Sequence, residues 1–180
     1  MTSVELDSQP DADSYWRKGV VVDDEAHNAD TFHPSPARPP FIAERRESAL
    51  VVAYKAFLRD AGDTREQRRL KSLVGFSDLF LVPVTDGDLE LVEAKSDAKH
   101  SKVREALAQA LDYAAHAHEH LDALTALFPE RPDDRDIQLL GNYGIGCVYR
   151  DSNGTFTRIP APAHRVAQMK PLWQPGLQAK

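Results

Sequence analysis

Four side chains stand where a protein interior prefers apolar groups, and together they could do chemistry: Glu47, Asp78, Glu93 and Lys95. Burying an isolated charge costs on the order of several kcal/mol even after relaxation. Two acids and a lysine sharing one sheet face therefore require a compensating partner. Diagonal neighbours on adjacent strands lie roughly 7–8 Å apart at Cα, so carboxylates reaching inward from Asp78 and Glu93 could share one hard divalent cation. Magnesium takes one or two carboxylates together with waters and phosphate oxygens. It lowers the pKa of its bound water and polarises a phosphoryl oxygen. Lys95 beside it would hold or activate the attacking water, or neutralise developing charge. The hairpin alone leaves a second reading open: a buried Asp78–Lys95 ion pair, with Glu93 snorkelling to an edge.

The elements that must position these groups are a helix, a hairpin and a second helix. The first helix is predicted over 42–61, after Pro39-Pro40, with Gly62 placed to end it because glycine tolerates the left-handed conformation. Leu50, Val51, Tyr54, Phe57 and Leu58 keep helical spacing, and Glu47 falls on the same stripe; Glu44 does so less well. The hairpin pairs Ser77–Val84 with Leu89–Lys95 around an Asp86-Gly87 turn. That turn sets Asp78 opposite Lys95 and Phe80 opposite Glu93, and puts Asp78, Glu93 and Lys95 on one face. Phe80, Val82, Leu89 and Leu91 line one side, and Leu79, Leu81, Val92 and Ala94 the other, as in a pair covered on both faces. Pro83 argues for a bulge or an edge, and a bulge would flip the parity.

The second helix is predicted over 102–116 with Ser101 as N-cap. Its core face is Val103, Ala106, Leu107, Ala110 and Ala114; Lys102, Gln109, Tyr113, His116 and His120 form a separate polar stripe. Phe128–Asp136 reads as a loop, and Ile137–Leu140 and Ile145–Tyr149 as strands, with a turn at Asp151–Gly154. Residues beyond Pro160 read as a poorly structured tail with a short docked helix near Val166. The sum is an α/β layer with a mixed sheet.

Charge is unevenly spread. The 180 residues carry a net charge of −6, and residues 1–31 hold all of that excess. Residues 1–40 thus form an acidic arm ending in the Pro-rich PSPARPP, with Tyr15–Val22 a candidate docking strand, and 41–180 the folded domain. Within the neutral remainder, Arg65–Lys71 (REQRRLK) and Lys95–Arg104 (KSDAKHSKVR) are basic, a local field that suits a polyanion even where net charge does not. A solvated face is the plainer account of each. No apolar run reaches the roughly 18 residues of a membrane span. Met1–Pro10 has no signal-peptide core, and the single Cys147 excludes an internal disulfide or a cysteine zinc site. A cytoplasmic protein is expected.

Glu47, then Asp78, then Glu93-Ala94-Lys95, then Gln109-x-x-x-Tyr113, resembles the PD-(D/E)XK nuclease superfamily over about residues 41–150, and its RecB-like branch in the Gln-x-x-x-Tyr element. The resemblance implies a restriction-endonuclease-like three-layer α/β core, a mixed central β-sheet flanked by helices in the order α-β-β-β-α-β. It implies Asp78, Glu93, Glu47 and the Ala94 carbonyl as ligands of Mg2+, with Mn2+ as substitute. It implies Asp78, Glu93 and Lys95 as the catalytic set, with Lys95 as base or stabiliser, and Gln109 and Tyr113 facing the substrate strand. Ser77 stands in the place of the family's proline, and the first strand, within 65–74, is basic rather than apolar.

The expected activity is Mg2+-dependent hydrolysis of phosphodiester bonds in DNA, in repair, restriction or defence. Lys102, Arg104, Arg68 and Arg69 would contact the backbone, and a homodimer, a larger protein complex or the acidic arm would restrain the activity. The alternative is a non-catalytic nuclease-like module acting in nucleic-acid binding or assembly. His116, His118, Glu119 and His120 read as a helix C-terminus, where imidazolium is favoured, ahead of a metal site. Gly141-x-x-Gly144-x-Gly146 precedes a strand and lacks the helix a phosphate loop needs.

Overall fold

The computed structural model describes residues 39–72 and 74–174. Residues 1–38, with the Tyr15–Val22 segment, and the last six residues lie outside them, and Pro39 and Pro40, expected in the arm, begin the first helix. Helix α1 spans Pro39–Asp60, beginning earlier than the predicted 42. Gly62 ends it at φ +80°, a conformation that side-chain-bearing residues adopt only at a cost. Strand β1 follows (Glu66–Arg68), then a short separate hairpin, β2 (Lys71–Ser72) and β3 (Gly75–Phe76). Strands β4 (Leu79–Val82) and β5 (Glu90–Ala94) come next. Helix α2 (His100–Ala115) leads to β6 (Ala123–Phe128), α3 (Asp134–Asn142), β7 (Ile145–Arg150), β8 (Phe156–Ile159) and α4 (Ala163–Trp173).

Six strands form one open mixed sheet in the order β1-β4-β5-β6-β7-β8. The β1–β4, β4–β5 and β7–β8 pairs are antiparallel, while β5–β6 and β6–β7 are parallel. Parallel neighbours need a crossover, which α2 and α3 supply. Helix α1 covers one face: Leu50, Val51, Tyr54 and Leu58 pack with Leu79, Leu81, Val92 and Ala94. The opposite face packs Phe80, Leu89, Leu91 and Leu124 beneath Val103, Ala106, Ala110 and Ala114 of α2, Leu140 of α3 and Trp173 of α4. The two faces of β4 and β5 are those the alternation predicted.

Several expectations need correction. The β4–β5 register sets Phe80 opposite Leu91 and Leu79 opposite Val92, so Asp78 falls level with Glu93, not with Lys95. The cause is Pro83, which has no N–H for the ladder: the strand stops at Val82 and the connection widens to Pro83–Leu89 instead of a tight Asp86-Gly87 turn. The slip is by two residues, so the parity of the faces survives. Helix α2 starts before Ser101, because the Asp97 carboxylate accepts the Lys99 amide at 3.0 Å and the Lys99 carbonyl accepts the Val103 amide at 3.0 Å.

Ile137–Leu140 is helical, inside α3, with Asp134 and Asp136 in its first turn, where carboxylates suit the helix dipole. Ala123–Phe128 is the strand in its place: β6, central and covered on both faces, whose run, apolar but for Thr125, has no period to read. The tail is α4, anchored by buried Trp173, whose indole N–H donates to the Tyr143 carbonyl at 3.2 Å, and by Gln174, which accepts the Leu121 amide at 2.9 Å.

Candidate functional site

Strand alternation puts Glu93 and Lys95 on the α2 side of the sheet, since Leu91 packs there. Asp78, just ahead of β4, shares that side with Phe80. A cleft of about 330 Å³ opens at this place, lined by Glu44 and Glu47 of α1, Phe76, Asp78, Glu93, Lys95, and Lys102, Glu105, Gln109 and Tyr113 of α2. Residues from 43 to 113 thus meet in one pocket. Glu47 reaches it from the opposite layer around the end of β5, where its Oε1 accepts the Ser96 amide at 3.0 Å.

The cleft is built on acids. Asp78 Oδ2 accepts the Ala94 amide at 2.8 Å, which fixes the carboxylate beside β5. Glu93 is 4% exposed and Lys95 2%. Lys95 Nζ donates to Glu93 Oε1 at 2.7 Å and stands 3.8 Å from Glu105 Oε1. Glu93 Oε2 is buried and has no hydrogen-bond partner, a costly state for a carboxylate oxygen. Burial, with the neighbouring Asp78 charge, pushes the Glu93 carboxyl up to about 8. Burial likewise raises Glu47, against the pull of Lys95. Burial alone would depress Lys95, but Glu93, Asp78 and Glu47 outweigh it and hold the ammonium above its ordinary value. Burial, then Glu93 and Asp78, raise the Tyr113 hydroxyl. Neighbouring carboxylates add to the shifts of Glu93, Lys95 and Tyr113, whereas at Glu47 burial acts against the pull of Lys95; acids outnumber lysines along the cleft, which suits a bound cation.

The donor set fits a hard divalent ion in kind. Asp78, Glu93 and Glu47 each keep an oxygen outside the hydrogen bonds named above, and that of Glu93 is the orphan. In the geometry at hand the acids are turned onto amides and onto Lys95, and among the described residues no three His, Cys, Asp or Glu side chains are gathered as a ready ion cage. The Ala94 amide is engaged by Asp78 and its methyl packs toward α1.

Of the expected substrate contacts, Gln109, Tyr113 and Lys102 line the cleft. Gln109 Oε1 is buried without a partner. Lys102 Nζ donates to Glu105 Oε2 at 2.7 Å. Arg69 stands at the cleft's edge, where its Nε donates to the Ser77 carbonyl at 2.8 Å and its charge is felt by Tyr113. Arg68 and Arg104 are not brought in. Arg68 lies on the edge strand β1, paired with Glu66. Arg104 is exposed on α2, two residues beyond Lys102 and so on another side of the helix.

Besides the small Ala43, two lining residues were missed, Glu105 and Phe76. Glu105 lies three residues after Lys102 and four before Gln109, so the polar stripe already contained it. Phe76 left no such signal, because the short β2–β3 hairpin has no alternating pattern. Ser77 holds that hairpin's base: its hydroxyl accepts the Leu70 amide at 3.0 Å and its own amide donates to the Leu70 carbonyl at 2.9 Å.

A second buried charge network lies on the α1 side. Glu90 accepts from Thr125 Oγ1 at 2.5 Å, Arg158 at 2.7 Å and Arg65 at 2.8 Å. Burial alone would raise its carboxyl, but the Arg158 charge and the three donors hold it below its ordinary value. Its satisfied oxygens mark it as structural, in contrast to Glu93. No family model, curated protein or solved structure matches the chain.

Proposed function

We propose that this chain is a Mg2+-dependent nuclease of the PD-(D/E)XK type that hydrolyses phosphodiester bonds in DNA. One observation carries the reading: residues far apart in sequence (Glu47, Asp78, Glu93, Lys95, Gln109 and Tyr113) meet in a single cleft that holds a buried, unpartnered carboxylate oxygen on Glu93. The order α1, β1, β4, β5, α2, β6, with the β2–β3 hairpin inserted after β1, is compatible with the α-β-β-β-α-β core which the motif resemblance implies, and supports the reading. Asp78, Glu93 and Glu47 would hold the ion, with the Ala94 carbonyl as a main-chain ligand. When bound, Mg2+ supplies Lewis acidity to a phosphoryl oxygen and an acidified water.

The chain's own groups do the rest. Lys95 Nζ, held by Glu93 and lining the cleft, would neutralise charge developing on the phosphoryl oxygens. Gln109 and Tyr113, one turn apart, offer a side-chain amide and a hydroxyl to the substrate strand. Lys102 and Arg69 contribute phosphate contacts that are salt-dependent and blind to sequence.

The test is incubation of linear and circular DNA with Mg2+, with EDTA, and with Lys95→Ala protein. Cleavage in Mg2+ alone, reduced about 10²–10³-fold by Lys95→Ala, is expected, as when a transition-state donor is removed. Stable, folded protein that cuts no DNA under any of these conditions overturns the reading. The engagement of the three acids with amides and with Lys95 favours the second one, a non-catalytic nuclease-like module. DNA retention without cleavage, unchanged by EDTA, would select it.

A further inference from the structure

Resting on the nuclease reading of the cleft, we propose that Phe76 is a base-stacking platform: its ring receives one unpaired nucleobase beside the scissile phosphate, and Arg69 and Lys71 hold the flanking backbone. The β2–β3 hairpin stands apart from the main sheet, with Lys71 paired to Phe76 and Ser72 to Gly75. Phe76 lines the cleft together with Asp78, Glu93 and Lys95, yet remains 40% exposed. The Arg69 guanidinium lies 5.3 Å and the Lys71 ammonium 5.7 Å from the ring centroid, within range of a cation–π contact. Arg69 is pinned by its bond to the Ser77 carbonyl, so the pair is held in place.

The hairpin is seated against the cleft wall. Gly75 has φ +139°, and a Cβ there would come 3.5 Å from the Tyr113 hydroxyl. The backbone angle rather than lack of space calls for glycine here, and the hairpin runs beside Tyr113 of the cleft wall.

Charge makes the same case. Leaving aside Glu93, whose burial favours its neutral form, the cleft floor carries Glu44, Glu47, Asp78 and Glu105 against Lys95 and Lys102, a surface that repels a phosphate chain before any cation is bound. The attraction must come from the rim. An exposed aromatic ring with two cations over it supplies it: the base takes the ring face as the Lys71 ammonium moves out to the adjoining phosphate. The faces of paired bases inside a duplex are already stacked, so the platform takes an unpaired base, either from a single strand or from a frayed duplex end.

The experiment measures binding in EDTA and single-turnover cleavage in Mg2+. Its probes are oligodeoxynucleotides carrying 2-aminopurine in a single strand, at a duplex terminus, or inside a duplex. Wild-type protein is compared with Phe76→Ala, Phe76→Leu and Phe76→Trp, each checked by thermal melting. The single strand is expected to show quenched 2-aminopurine fluorescence and roughly ten-fold weaker binding with Ala and with Leu, the worth of one base–aromatic stack. Trp should restore both. Quenching at the terminus as well extends the platform to frayed ends; quenching of the single strand alone restricts it to single strands. Wild-type-like binding, quenching and cleavage by Phe76→Ala and Phe76→Leu, in protein that does cut DNA, overturns the platform and leaves the nuclease reading standing. Wild-type protein that neither binds nor cuts any of the three overturns both.

Discussion

A divalent cation should stabilise this fold, and Asp78→Asn should abolish that response while raising the stability of the cation-free protein. The perturbation is specific because of what Asp78 does in the structure. Its Oδ2 only accepts, from the Ala94 amide, and an asparagine carbonyl can accept the same bond. The substitution therefore keeps the local geometry and removes one charge from beside Glu93, whose carboxyl Asp78 helps to raise. Repulsion in the cation-free cleft falls, so the melting temperature rises. In the unsubstituted protein an ion that binds only the folded state adds RT ln(1 + [L]/Kd), or about 1.4 kcal/mol at roughly ten times Kd. For a chain of this length that is a rise of about 3–6 °C in Tm. The assay is a thermal melt in EDTA and across millimolar Mg2+ and Mn2+ at constant ionic strength, for both proteins, with Ser48→Ala, exposed on α1, as a neutral control. An unchanged Tm for the unsubstituted protein across that range, or a response that survives in Asp78→Asn, would refute the argument from clustered carboxylates.

Two further outcomes follow from other parts of the molecule. Gln109→Ala and Tyr113→Phe should each slow single-turnover cleavage about five-fold, the worth of one hydrogen bond of about 1 kcal/mol, with Tm and the Mg2+ response preserved; full cleavage by the double variant would remove both residues from the substrate side. Glu90→Gln should cost about 2–3 kcal/mol in urea unfolding at pH 7, less than the loss of a fully buried ion pair because Arg158 is 40% exposed. The folded pKa of Glu90 lies below its ordinary 4.5, so its contribution is complete above the unfolded value and disappears as pH falls through the folded one. The stability gap between Glu90→Gln and the unsubstituted protein should therefore shrink as pH falls below the ordinary 4.5, and a gap that stays constant or widens on acidification would contradict the sign of the shift.

The sequence by itself determined which residues occupy which face. Alternation separated Phe80, Leu89 and Leu91 from Leu79, Leu81, Val92 and Ala94, and helical spacing separated Val103, Ala106 and Ala110 from Gln109 and Tyr113. Both are local consequences of backbone geometry, so no tertiary contact is needed to read them. Because faces depend on parity alone, Asp78, Glu93 and Lys95 fall on one side even though the register slipped by two at Pro83. Tertiary structure decided what has no local signature. Ala123–Phe128 became a central strand because helices and neighbouring strands bury both its sides, which erases the alternation that marks a half-exposed strand. Ile137–Leu140, apolar and short, became helix because the β6–β7 crossover requires one there. Residues beyond Pro160 were ordered by Trp173 and Gln174 finding partners at Tyr143 and Leu121. The cleft itself, with Phe76 on its rim and Glu105 beside Lys95, exists only once helices α1 and α2, on opposite faces of the sheet, meet at the end of β5. No spacing along the chain encodes that distance.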